Sequence, residues 1–290
     1  MREILKGFVD IHVHAGPSVA IRALDAADLL KRAKEAGYRG VLVKDHYFPT
    51  MMGCKMVQDH LGDGTVDVYG SIALNNSIGL FNLKAVDTAY NMGAKIVYFP
   101  TVSSKNHINA HKGNFAGAGN SSVEETPVVY VDENGVMDSN AIKVLEYMAG
   151  KDMALGTGHG TAWEIDHLVK KAVNLGVKRI LVNHPHYHIG ATYEQMSQWA
   201  KLGAYIELNV AVFAEGAKLG SVPWEVVGEI LKTVPLNRII LDSDLGQKAN
   251  GCPIEGMYNF IMLLMERNGL TVEDINLIGK SNPAALIGLD

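Results

Sequence analysis

The stretch Val9-Asp10-Ile11-His12-Val13-His14 decides how this chain is read. It has the look of a short buried strand. Successive side chains on a strand point to opposite faces, so His12 and His14 point the same way. A single histidine on an apolar strand is most simply a hydrogen-bonded core residue. Two imidazoles side by side on a rigid element form half of a metal site. The chain continues Ala15-Gly16-Pro17-Ser18, a loop, which puts the pair at the carboxyl end of its strand. That is the end where α/β barrels keep their chemistry.

Working outward, similar apolar runs recur at about 7–13, 40–44, 67–73, 95–99, 153–156, 179–182, 204–208 and 238–241. Helix-like segments lie between most of them. Residues 24–36 carry Leu29, Leu30 and Ala33 at helical spacing and stop at Gly37. Thr161-Ala162-Trp163-Glu164 is a capping box opening a helix that runs to Gly176. Ser221-Val222-Pro223-Trp224 reads as another helix start, with proline in the first turn. Strands alternating with helices argue for a parallel sheet. Eight of them in one domain argue for a closed barrel. The doubly wound sheet is the alternative, but no Gly-rich dinucleotide fingerprint supports it. The expectation is a single α/β domain over 1–290, a distorted (β/α)8 TIM barrel.

One interval is long. Residues 102–150 hold a polar, Gly- and Asn-rich stretch at 103–120, then 128–136, which read as a hairpin turning at Asn134-Gly135, then a helix at 141–149. Long loops in compact domains are usually functional or disordered. Leaving the carboxyl end of the fourth strand, 102–150 is expected to be an insertion that forms a lid. His107 and His111 fall in it and read most simply as exposed loop histidines.

Polar residues gather at the strand ends. Lys44 and His46 end the second strand, His159 follows the fifth, His184 ends the sixth and Asp244 follows the eighth. In a barrel these positions converge on one mouth. The order resembles the amidohydrolase superfamily of metal-dependent hydrolases, with His-x-His on the first strand, a histidine after the fifth and sixth, and an aspartate after the eighth. The closing run Asn282-Pro283-Ala284-Ala285-Leu286-Ile287-Gly288-Leu289 also looks like that family's terminal helix. The resemblance covers nearly the whole chain. Two departures stand out. Binuclear members usually carry a bridging carboxylated lysine or a glutamate at the end of strand four, and Ile96-Val97-Tyr98-Phe99-Pro100-Thr101 has neither. The Lys44-Asp45-His46 run looks instead like the opening of the PHP phosphoesterase family.

The resemblance implies a divalent metal, zinc first, as one ion or two. Its ligands would be His12, His14, His159, His184 and Asp244, with His46 as a sixth candidate. Manganese, iron or nickel remain open. His159 has a second reading as a substrate-binding group. Asp244 is the candidate general base, taking a proton from a metal-activated water and passing it to the leaving group. Asp242, two residues earlier, is its rival. Lys44 is a second catalytic candidate, either carboxylated and bridging two metals or anchoring an anionic group. The bland alternative is a partly solvated lysine beside Asp45. His186, Asn75 and Glu207 are candidate substrate contacts, with Asn76, Asn209 and His188 behind them. His60 and His167, in helix-like segments, need no functional account.

Composition bounds the rest. The chain has 290 residues, 48% hydrophobic and 20% charged, with net charge −5 and no long basic run. Nucleic acid is therefore not an expected partner. No apolar stretch is long enough for a membrane span, and Met1–Lys6 has no apolar h-region. Cys54 and Cys252 read as free thiols, so a cytoplasmic protein is expected. The partner is a small-molecule substrate, and a homo-oligomer is compatible with a barrel of this size. The function expected is hydrolysis of an amide, lactone or other C–N or C–O bond. The alternatives are a PHP-like phosphoesterase, a metal-dependent decarboxylase and a non-catalytic metal- or ligand-binding barrel.

Overall fold

The computed structural model describes residues 2–112, 115, 122–213 and 222–289. Eight strands form one parallel sheet in sequential order: β1 Val9–Val13, β2 Gly40–Val43, β3 Asp67–Ala73, β4 Ile96–Tyr98, β5 Ala154–Gly156, β6 Ile180–Val182, β7 Tyr205–Asn209 and β8 Ile239–Asp242. Sequential order with every pair parallel is a (β/α)8 barrel, and it rules out the doubly wound sheet. The helices are α1 Arg2–Leu5, α2 Ala26–Ala36, α3 Met51–Leu61, α4 Leu83–Asn91, α5 Lys105–His111, α6 Ser139–Ala149, α7 Ala162–Leu175, α8 Tyr193–Lys201, α9 Glu225–Thr233, α10 Pro253–Asn268, α11 Val272–Asn276 and α12 Asn282–Ile287.

Local chemistry explains these elements. The Asp25 side chain accepts from the Asp28 amide and caps α2, which ends at Gly37 in the left-handed conformation. The box at Thr161 and Glu164 closes both ways, as its spacing required. The helix start expected at Ser221 moves. α9 begins at Glu225, after Pro223, and Ser221 lies outside the described residues.

The barrel interior is filled by Val9, Ile11, Leu42, Ala73, Ile96, Tyr98, Ala154, Leu181 and Ile240, closed off by Ala284, Leu286 and Ile287 of α12. The larger core lies between sheet and helices. β1 breaks the simple alternation. Its register with β2 slips between Asp10 and Val13, so one extra residue is accommodated. Val9 and Ile11 face the barrel interior while Val13 joins the outer core. The bulge resets parity just ahead of His12, and both histidines then face inward. The equal parity of His12 and His14 holds, but the bulge that aims them was not visible in the sequence.

The sheet closes through residues just beyond β8. The His14 amide donates to the Leu245 carbonyl at 2.8 Å and the Asp244 amide to the His12 carbonyl at 2.8 Å. Gly246 (φ +113°) packs so tightly that a Cβ there would overlap the His14 carbonyl. The closing seam is thus built from the functional segments themselves.

Between β4 and β5, α5 occupies part of the stretch read as loop, while residues 113, 114 and 116–121 lie outside the described residues. The hairpin expected at 128–136 reduces to a tight turn. Gly135 sits at φ +79°, and a single antiparallel bridge joins Val131 to Met137.

Candidate metal centre at the barrel mouth

Asp244 Oδ1 lies 3.2 Å from His12 Nε2 and 3.0 Å from His14 Nε2. Lys44 Nζ is 2.9 Å from His12 Nε2 and 4.6 Å from the centre of the Tyr98 ring. His46 packs against His14, ring centres 5.0 Å apart, and its Nδ1 lies 2.9 Å from the Thr101 hydroxyl. His184 stands 4.9 Å from His159 and 6.2 Å from His12, centre to centre. His14, Lys44, His46, His159, His184 and Asp244 all line one small cavity. Every residue expected as a metal ligand or catalytic group is therefore in or directly behind one pocket.

The donor set fits a divalent cation. His12, His14 and Asp244 offer ligand atoms within 4.8 Å of one another. His184 Nδ1, His159 Nε2 and His14 Nδ1 are buried without a hydrogen-bond partner. Buried polar atoms left unpaired are costly, and all three belong to residues that line the cavity. Burial lowers the His14 pKa to about 3 and also lowers those of His46, His159 and His184. These imidazoles are neutral at pH 7, the form that binds metal.

Two site residues are held in unfavourable backbone conformations. His184 has φ +22° and Asp244 φ +49°. Strain of this kind costs about 1–3 kcal/mol per residue and persists where the surroundings enforce it. At His184 the enforcing contact is Glu207 Oε2, which accepts from the His184 amide at 2.6 Å. At Asp244 it is the seam bond to His12. Gly158 (φ +69°) serves His159 similarly, since a Cβ there would strike the Phe99 and Pro100 carbonyls.

Glu207, expected as a substrate contact, lies behind His12 and not on the cavity wall. Its Oε1 accepts from His12 Nδ1 at 2.8 Å and from Asn183 Nδ2 at 3.0 Å, and the residue is fully buried behind His12. Burial favours its neutral form, but the neighbouring His12 and His184 hold the carboxyl down at about 2. An ionised carboxylate only accepts, so His12 donates from Nδ1 and keeps Nε2 for the cavity side. Asn75 is also spoken for. Its amide donates to the His46 carbonyl and the Thr101 hydroxyl, and its oxygen accepts from the Thr101 and Ser103 amides, tying the ends of β2 and β4. His186 is half-buried, its ring packed against Phe213 with centres 4.8 Å apart, and it does not line the cavity.

Asp244, not Asp242, meets the histidines. Asp242 lies deeper, where burial and the nearby Glu207 and Asp10 charges raise its pKa well above the usual range. Asp244 is subject to the same burial, but His12 and His14 overcome it and hold it well below that range. Lys44 does not pair with Asp45. Asp45 is taken by Arg22 at 3.1 Å and by the Ser18 hydroxyl at 2.5 Å. Burial lowers the Lys44 pKa, with Asp244, Glu207 and Asp242 opposing.

Sequence reasoning missed Thr101, Tyr187 and Gln247 near the mouth, and it misjudged His107. His107 is 3% exposed, with Nδ1 2.9 Å from Nδ1 of His159. Its only signal was its four-residue spacing from His111.

The barrel with its mouth of histidines has the fold of the amidohydrolase superfamily. It resembles an amidohydrolase from Pseudomonas aeruginosa at TM-score 0.64 and 9% identity, covering 98% of this chain and 96% of that one. It also resembles the probable dipeptidase PvdM from Pseudomonas aeruginosa at TM-score 0.62 and 10% identity, covering 97% and 94%. The lactonase Lmo2620 from Listeria monocytogenes matches at TM-score 0.57 and 11% identity, covering 99% and 96%. At such identities the likeness concerns fold. The solved structures named here lend no support to the phosphoesterase-like reading of strand two. By sequence, the chain belongs to a family of unknown function, DUF6282, whose model matches residues 7–207. No curated protein matches. Among the described residues, no helix is long and apolar enough to cross a membrane.

Proposed function

We propose that this protein is a metal-dependent hydrolase acting on a C–N or C–O bond of a small molecule, such as an amide or lactone. The observation that carries this is the convergence of His12 Nε2, His14 Nε2 and Asp244 Oδ1 on one point at the closing seam. His12, His14 and Asp244 would hold a divalent ion, zinc first, with His184, His159 and His46 on the same cavity wall. Such an ion lowers the pKa of a bound water from ~15.7 to about 7 and polarises a carbonyl oxygen.

The protein's own groups do the rest. Glu207 fixes the His12 ring, and Asn209 Nδ2, 3.2 Å from Asp244 Oδ2, leaves Oδ1 to face the histidines. Asp244 stays ionised across the working pH range and accepts the proton of the attacking water, then returns it to the leaving group. Lys44, buried at the base of the cavity, donates toward the reacting oxygen or pairs with an anionic substrate group.

The test is hydrolysis of a panel of N-acyl amino acids, dipeptides, lactones and phosphate monoesters by the zinc-loaded protein. Asp244→Asn is expected to lower kcat by ~10²–10⁴-fold. His12→Ala is expected to abolish turnover with the fold intact by circular dichroism. Full activity in both variants, or turnover of phosphate esters alone, overturns the proposal.

A further inference from the structure

We propose that His107, His111 and His188 form a second cation site, separate from the His12, His14 and Asp244 centre, which binds a borderline divalent ion such as Zn²⁺ across the rim of the same cavity. His107 and His111 are one turn apart on α5, so their rings lie on one face of the helix. Their centres are 4.3 Å apart. His188 arrives from the loop after β6 and stands 4.4 Å from His111 and 5.9 Å from His107. The three offer ligand nitrogens within 4.8 Å of one another. Zn–N bonds of ~2.0–2.1 Å put tetrahedral nitrogens ~3.3 Å apart, so small side-chain rotations complete the site.

Several features show a built arrangement. His107 Nε2 and His111 Nε2 are buried without a partner. The His107 Nδ1 contact to His159 fixes its ring and leaves Nε2 as the available nitrogen. Asn106 Nδ2 reaches the carbonyls of His159 at 3.1 Å and His188 at 3.2 Å, clamping α5 to both loops. His188 itself is held at φ +62°. Among the described residues no carboxylate joins the cluster, a donor set that favours borderline cations over hard ones that demand oxygen ligands.

Three imidazoles leave a fourth coordination position open. The three line the cavity that also contains His14, His159 and Asp244, so a carboxylate or other anionic oxygen of a substrate is the class of ligand that fits there. An ion at this rim would also tie α5 to the β6 loop over the inner centre.

The test is titration of the metal-stripped full chain with Zn²⁺ alone, read by calorimetry and by metal content per chain. Co²⁺ spectra report the coordination geometry. His111→Ala/His188→Ala is compared with His12→Ala/His14→Ala, each confirmed folded by circular dichroism. The wild type is expected to bind one ion more than His111→Ala/His188→Ala, whose remaining ion keeps its Kd within about threefold. His12→Ala/His14→Ala should retain the ion that the other pair loses. If the wild type holds a single ion that only His111→Ala/His188→Ala removes, the rim site stands and the inner metal reading falls. The rim site is overturned if His111→Ala/His188→Ala binds as many ions as the wild type with unchanged Kd. It is equally overturned if both pairs abolish one and the same ion.

Discussion

Replacing Glu207 with glutamine changes one buried oxygen into an amino group and leaves the shape nearly unaltered. Glu207 accepts three hydrogen bonds, from His12 Nδ1, Asn183 Nδ2 and the His184 amide. Glutamine has one acceptor oxygen. If its amino group faces the His184 amide, two donors meet. If it faces His12, the ring must move its proton to Nε2 and loses the lone pair a metal needs. Each orientation leaves a buried conflict worth ~1–3 kcal/mol, and the remaining bonds lose the charge that strengthens them. Relief from burying a charge offsets part of this. The net expectation is ~2–4 kcal/mol of lost stability. Groups that orient a metal-bound histidine typically change metal affinity by ~10–100-fold, or about 1.4–2.7 kcal/mol. Glu207→Gln should therefore lower Tm and raise the Kd of the inner ion within that range, measured by chelator competition. A lower Tm with unchanged Kd would refute the orienting role and leave Glu207 as a structural anchor. No change in either would refute the whole account of the residue.

Three further outcomes follow from particular contacts. Saturating Zn²⁺ at ~100 times Kd should stabilise the protein by ~2.7 kcal/mol, seen as a higher Tm that a chelator reverses; a Tm indifferent to metal would count against the centre. Gly246→Ala forces a Cβ onto the His14 carbonyl at φ +113°, and should cost ~2–3 kcal/mol and displace His14; normal metal content with an unchanged Tm would show that the seam is more pliant than described. Both ring nitrogens of His186 are buried and its pKa is lowered to about 3, whereas the unfolded chain takes its proton near ~6.5. Its contribution is fully present above that value. In metal-free protein it falls by ~1.4 kcal/mol per pH unit as pH drops below 6.5, about 2 kcal/mol by pH 5. Urea unfolding from pH 7.5 to 5 should show a flatter slope in His186→Leu, and an identical slope would mean His186 does not resist protonation.

Much of the site was legible because barrel geometry converts chain order into convergence. Once His12, His14, His159, His184 and Asp244 each fall at a strand's carboxyl end, closure brings them together whatever the loops do. Asp242 and Asp244 share a parity, so the choice of Asp244 rested on the family resemblance and not on strand geometry. In the structure the difference is one of depth: Asp242 lies beside Glu207, while Asp244 reaches the histidines. The substrate contacts were misplaced for the same reason. Asn75 and Glu207 have suitable chemistry, but their partners come from segments far away in the chain.

The sequence by itself determined the element order, the helix caps and the placing of histidines at strand ends, because periodicity and capping are local. Tertiary structure decided the bulge that turns His12 inward, the three bonds that saturate Glu207, and the meeting of His107, His111 and His188. Those depend on pairings across tens to hundreds of residues, where burial and the competition for each donor and acceptor are settled only once the barrel has closed.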